Sequence, residues 1–250
     1  MEMPGQVITM KVAVFLSLAV LAALPGTAQS DELFNNGPVV DANGKSVRTA
    51  PAQSFALGMQ SKSSNAVADD FSVGSGSSWR VSSLDFFGYQ NGATAFTLQD
   101  VSWRILSGDV NNGTLVASGT TALVNAGLVG YRVAATAPAD TTKRIFRASA
   151  DIPDLTLASG HYWLSWHMTG SRTSGPWQAP TADARSGNAM NSQAGAAYAT
   201  FVDEGSNKSV ELPFVINGSL ISAVPEPSTG LLMLAGGLAL AQVLTFRRHA

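Results

Sequence analysis

Histidine supplies acid, base or metal-ligand chemistry most readily near neutral pH, and the chain has three: His161, His167 and His249. His161 and His167 fall on one face of an extended segment but stand six residues apart, roughly 20 Å along a strand. A zinc ion needs its nitrogens within about 2.1 Å, so the two do not share a metal on an unbroken strand. His249 stands in the basic terminal stretch Arg247-Arg248-His249-Ala250, apart from the body. Cysteine is absent, which excludes disulfides and thiolate metal sites. Neither His-Glu-x-x-His nor Gly-x-Ser-x-Gly occurs, so the local motifs of zinc proteases and of the hydrolase nucleophile elbow are missing. A Ser, His and Asp assembled from distant positions is the remaining hydrolytic reading. No catalytic residue, cofactor or enzyme activity is assigned.

Acidic and amide side chains offer a second chemistry. Asp109, Asn111, Asn112 and Gly113 crowd one stretch, but the Asp-x-Asp/Asn-x-Asp/Asn-Gly order of a calcium loop and its distant glutamate are missing. Asn112-Gly113 is a strong turn pair and reads as a hairpin. Asp69 and Asp70 are the weaker calcium candidates, with a solvated turn the favoured reading. No metal site is assigned. Trp163 and Trp177 are the candidate ligand-binding residues, because an exposed indole beside hydroxyls and amides stacks on sugar rings. The favoured alternative is structural: Trp163 packs inside a sheet and Trp177 plugs one end of the fold.

Strands must position these side chains. Val101, Trp103 and Ile105 alternate with Ser102 and Arg104, a period of two that puts the apolar three on one face. Trp79 to Phe87, Thr114 to Val124, Val129 to Ala135, Lys143 to Ile152, Tyr162 to Met168, Ala197 to Val202 and Val210 to Ile216 give further short runs between Gly- and Asn-rich breaks. No stretch of the body sustains a 3.6 period. The expectation is an all-β antiparallel sandwich or jelly roll. In Ser159-Gly160-His161-Tyr162 a tyrosine enters a strand just after a glycine turn, which resembles the tyrosine corner of Greek-key sandwiches. Tyr162, Leu164, Trp166 and Met168 then face the core, and His161, Trp163, Ser165 and His167 the other side. Pro180 to Ala197 lacks apolar periodicity and reads as a long loop.

Both ends differ from this body. Lys11 precedes the apolar run Val12 to Leu24, followed by Pro25-Gly26-Thr27-Ala28. One positive charge, a short apolar core and small residues describe a secretory signal peptide over residues 1–28, cut by signal peptidase after Ala28, with Met10 a second candidate start. The exported body then spans 29–223 and carries 12 Lys and Arg against 15 Asp and Glu, net −3. Such a surface has no broad attraction for phosphate, so nucleic acid is not an expected partner.

The segment 224–250 reads V-P-E-P-S-T-G and then an uncharged stretch, about 229–246, ending at Arg247 and Arg248. At about 1.5 Å per residue it forms a helix of roughly 27 Å, close to the thickness of a bilayer's hydrocarbon. The arginine pair holds that end on the cytoplasmic side, leaving the body outside.

Pro225-Glu226-Pro227, a short Gly/Ala-rich span and a terminal arginine pair, in that order, resemble the PEP-CTERM sorting signal of bacterial exported proteins. The resemblance implies that Pro225, Glu226 and Pro227 are the recognition tripeptide, that the span is a single transmembrane helix used as a temporary anchor, and that Arg247 and Arg248 are the membrane stop. It also implies a membrane-embedded protease, the exosortase, as partner. Stretches such as Ala68-Asp69-Asp70-Phe71-Ser72-Val73 and Gly113-Thr114-Leu115-Val116-Ala117-Ser118-Gly119 are similar to bodies of PEP-CTERM proteins without an assigned reaction. The expected function is a structural or adhesive protein of the cell surface or extracellular matrix, held briefly in the inner membrane and associated with exopolysaccharide or biofilm. A carbohydrate-binding protein is the alternative. A glycan-active hydrolase comes third, distinguished by carboxylates converging in a concave site beside exposed tryptophans.

Overall fold

The computed structural model of the chain describes residues 30–48, 57–58, 64–183, 185–203 and 207–221. The signal segment with Ala28, and the tail with Pro225, Glu226, Pro227, Arg247, Arg248 and the expected transmembrane helix, lie outside the described residues.

Eight strands carry the architecture: β1 (Asp31–Asn35), β4 (Ala66–Val73), β5 (Ser78–Gly88), β6 (Leu98–Ser107), β7 (Thr114–Ala122), β9 (Arg144–Leu157), β10 (Gly160–Gly170) and β16 (Phe214–Ile221). In chain order the first of them pairs with the last, the second with the seventh, the third with the sixth and the fourth with the fifth, all antiparallel. That nested pairing is the folded ribbon of a jelly roll. It makes one sheet of order β1-β16-β5-β9, extended by β8 (Val124–Ala134) and β2 (Lys45–Arg48), and a second of order β4-β10-β6-β7, extended by the short β12 (Met190–Ser192) and β13 (Ala199–Thr200). The remaining short strands are β3 (Leu57–Gly58), β11 (Trp177–Gln178), β14 (Val202–Asp203) and β15 (Lys208–Ser209), in two small two-stranded sheets.

Period-two patterning explains the core. Tyr162, Leu164, Trp166 and Met168 of β10 point between the sheets with Val101, Trp103 and Ile105 of β6, while Trp163 belongs to a separate cluster on the opposite face. From the first sheet Leu84, Phe86, Phe214 and Ile216 meet them. Rings run through the interface: Trp79 stacks on Phe71 at 6.0 Å and Phe71 on Tyr162 at 5.5 Å. The tyrosine corner is present, since the Tyr162 hydroxyl donates to the Ala158 carbonyl at 2.9 Å. Tyr162→Phe is expected to cost about 1 kcal/mol in urea unfolding; an unchanged midpoint would show that this bond contributes nothing.

Three expectations are corrected. The fold is not wholly antiparallel, because β2 pairs parallel with β8. After β1 at one edge of the first sheet, the chain reaches β2 at the other edge, with Val39 buried against Phe87, Ile145 and Val215. This crossing lays the chain over the outer face of the first sheet. Its end is fixed by Asp41, whose carboxylate accepts from the Asn43 and Lys45 amides at 2.9 Å each. The predicted loop over 180–197 contains β12, which pairs with β4; three residues are too few to show a period. The predicted strand Ala197 to Val202 is instead two short strands, β13 and β14, interrupted at the buried Phe201.

Candidate functional site

The second sheet turns its core-facing residues inward and leaves a second set on its outer face. Register places Arg104 of β6 opposite Ser165 of β10 and Ser118 of β7, and Ser102 opposite His167 and Thr120. Two loops rise beside this face. The β6–β7 turn is built on Asp109, whose Oδ1 accepts from the Asn111 and Asn112 amides at 2.9 Å each. These bonds give the stretch its turn shape, and Asn111 is free to face the other loop, residues 193–198. There Asn111 Nδ2 donates to the Tyr198 carbonyl at 3.1 Å and the Tyr198 amide donates to Asn111 Oδ1 at 2.8 Å. The Tyr198 hydroxyl lies 2.5 Å from Ser165 Oγ.

Between strands and loops lies an open groove of about 540 Å³, lined among others by Ser102, Arg104, Asn111, Ser165, His167 and Tyr198. That volume lies within the usual range for small-molecule sites. Its lining is rich in hydroxyls and amides. Among the described residues lining it there is one guanidinium and no carboxylate, so the acid and base pair that glycosidases use has no member there. His167 is half-buried, and burial holds its imidazole below the usual value of 6.5. At neutral pH the ring is therefore uncharged and able both to donate and to accept a hydrogen bond.

The two tryptophans are not in the groove. Trp163 is 5% exposed and packs with Ala68 and Val110, the structural role favoured for it, which leaves it unavailable as a sugar-stacking residue. It supports the turn whose Val110 lines the site. Trp177 is half-buried beside Phe87, Tyr89 and Val215, the apolar cluster of the first sheet, and exchanges backbone hydrogen bonds with Tyr89 at 2.8 and 2.9 Å. Both indoles pack against apolar neighbours, in line with the structural role favoured for them over sugar stacking. His161 stands at the other end of β10, its Nε2 2.5 Å from Asp70 Oδ2 and its Nδ1 3.2 Å from the Gly108 carbonyl. Both ring nitrogens are engaged, so neither is free to activate a serine.

Asp69 and Asp70 lie within β4 and point to opposite faces of it, which corrects the solvated turn expected for them. Asp69 is fully buried and meets Glu211 around one amide, Asn36 Nδ2, which lies 2.9 Å from Asp69 Oδ2 and 3.0 Å from Glu211 Oε2. On the outer face of the first sheet the buried Asp85 accepts from Arg147, Ser149 and Asn217. Both clusters are internally satisfied.

Sequence reading overlooked Arg104, Ser102 and Tyr198. The signal for the first two was present: the alternation that sends Trp103 inward sends Arg104 outward, onto the face shared by His167. Tyr198 lay in the run Ala197 to Val202, read as a strand, where nothing in so short a run told which face it would take. No curated protein and no solved structure matches the chain. The family model for the PEP-CTERM protein-sorting motif matches residues 223–248, so the tail carries the expected signal and the chain is that of a PEP-CTERM domain-containing protein, exported and sorted through the membrane by way of an exosortase.

Proposed function

We propose that the jelly-roll body is delivered to the cell surface or extracellular matrix and acts there as an adhesive component, holding matrix polysaccharide in the groove of the second sheet. The groove carries this reading: hydroxyls, amides and the Tyr198 ring stand over a floor of paired strands, where side chains are positioned before a ligand arrives. A preorganised polar surface with one aromatic suits a polyhydroxylated chain, which offers hydroxyl edges and an apolar ring face. The strand floor is held by the core beneath it, so the site needs no induced ordering.

Isothermal titration of the full chain in detergent with the host's own exopolysaccharide tests the binding. Tyr198→Ala is expected to weaken it about 2- to 10-fold; absence of heat with the unaltered protein would end the adhesive reading. Delivery is tested separately. Glu226→Ala, or removal of the exosortase, is expected to leave the chain at unprocessed size in the membrane fraction. Unchanged size and location in both cases would remove the role assigned to the tripeptide.

A further inference from the structure

We propose that the groove selects carboxylated sugars, with Arg104 as the receptor for the carboxylate. The inference rests on the glycan reading above and names the class of sugar. Three observations carry it. First, the body is net negative, yet among the described residues lining the groove the one formally charged side chain is a cation. Second, Arg104 is exposed and forms no hydrogen bond or ion pair among the described residues. Its cross-strand neighbours are Ser165 and Ser118, so no anion stands opposite it in the sheet. By contrast Arg80, Arg147 and Arg185 each pair with an aspartate. Third, the groups around it are arranged for the rest of a sugar.

Directly opposed residues in an antiparallel pair hold their Cβ atoms about 4.5–5.5 Å apart, and diagonal ones about 7–8 Å. His167 is the diagonal neighbour of Arg104, two residues beyond Ser165 on β10. A carboxylate taken as a fork by the guanidinium thus leaves the sugar's hydroxyls over Ser102 and His167. The Asn111 and Asn112 turn lies on the loop side of the groove and Tyr198 beside it. A neutral sugar satisfies the hydroxyl groups but leaves the guanidinium with water alone. An inorganic anion satisfies the guanidinium and leaves the hydroxyls unused. A uronate satisfies both sets.

The test titrates the full chain in detergent with oligomers of galacturonate, glucuronate and mannuronate. Each is compared with its methyl ester, which keeps the ring and removes the charge; inorganic phosphate serves as an anion control. The expected result is binding of at least one acid about tenfold or more tighter than its ester. Arg104→Gln abolishes that preference with an unchanged circular dichroism spectrum, and Arg104→Lys, which keeps the charge but not the fork, gives an intermediate loss. Equal affinity for acid and ester, or a preference that survives Arg104→Gln, overturns the proposal and leaves glycan adhesion standing. Phosphate competing as well as the uronate overturns the sugar assignment. No binding of any acid or ester overturns the proposal, and glycan adhesion then stands or falls on the titration with the host's own exopolysaccharide.

Discussion

Trp166→Ala is expected to destabilise the body by about 3–5 kcal/mol, a large part of the roughly 5–15 kcal/mol that holds a typical domain folded. Trp166 is 1% exposed. Its ring belongs to β10 in the second sheet, and its neighbours Phe86 and Phe214, with centroids at 5.5 and 5.7 Å, belong to the first. Truncation therefore opens a void at the junction of the two layers, where neither sheet can close it alone. The indole nitrogen also donates to Gln178 Oε1 at 2.9 Å, and the fully buried Gln178 donates in turn to the Pro213 carbonyl at 3.0 Å. Removing the indole leaves a buried carbonyl oxygen without its donor, a further cost of about 1–3 kcal/mol where water does not replace it. Trp166→Phe keeps most of the volume and is expected to lose chiefly this second part. Urea unfolding followed by far-ultraviolet circular dichroism separates the two variants. Equal midpoints for them would mean that the hydrogen bond, not the ring, joins the layers.

The jelly roll was legible in most strands that exceed about six residues with one dry face, because alternation then fixes both the element and its orientation; β4 is the exception, since its adjacent aspartates read as a turn. Tyr162 to Met168 is the clearest case: four alternate residues were assigned to the core and all four are there. The β6–β7 hairpin was legible through Asn112-Gly113, and the tail through the order of its parts, matched over residues 223–248. Pairing partners were not legible. Nothing local distinguishes β9 as the neighbour of β5, since that choice follows from the nested ribbon as a whole. Short edge strands such as β12 escaped for lack of length. The groove escaped because it joins positions 64–66, 102–112, 165–167 and 192–198, which only the topology brings together. The same reading that counted tryptophans as ligand candidates passed over Arg104, whose neighbours in the sheet could not be known from its neighbours in sequence.

Across pH 5 to 8 the body is expected to lose stability as pH rises, and Asp69→Asn to flatten that decline. Asp69 is fully buried on the core side of β4, and its carboxyl is pushed from 3.8 up to about 8. Desolvation is the main cause and the nearby Glu211 carboxyl adds to it, while hydrogen bonds from the Leu212 and Asp70 amides, at 2.7 and 2.8 Å, act in the opposite direction. The sign follows from proton counting. Between the unfolded value near 3.8 and the folded value near 8, the unfolded chain releases this proton and the folded chain keeps it. The folded state then binds more protons, so its advantage is complete below the lower value, shrinks through the window, and is lost above the upper one. One such proton sets a slope of at most about 1.4 kcal/mol per pH unit. Asparagine mimics the protonated acid: it keeps an acceptor for the Leu212 amide and a donor towards Glu211, and it has nothing to release. Other groups titrate in both proteins, so the difference between their urea midpoints isolates this pair. The curves should converge, or cross, towards high pH, with the native protein gaining relative to the variant as pH falls. Parallel curves would mean that the Asp69 proton leaves as readily from the folded chain as from the unfolded one, and that Asn36 and the two amides stabilise a carboxylate that burial alone would have kept neutral.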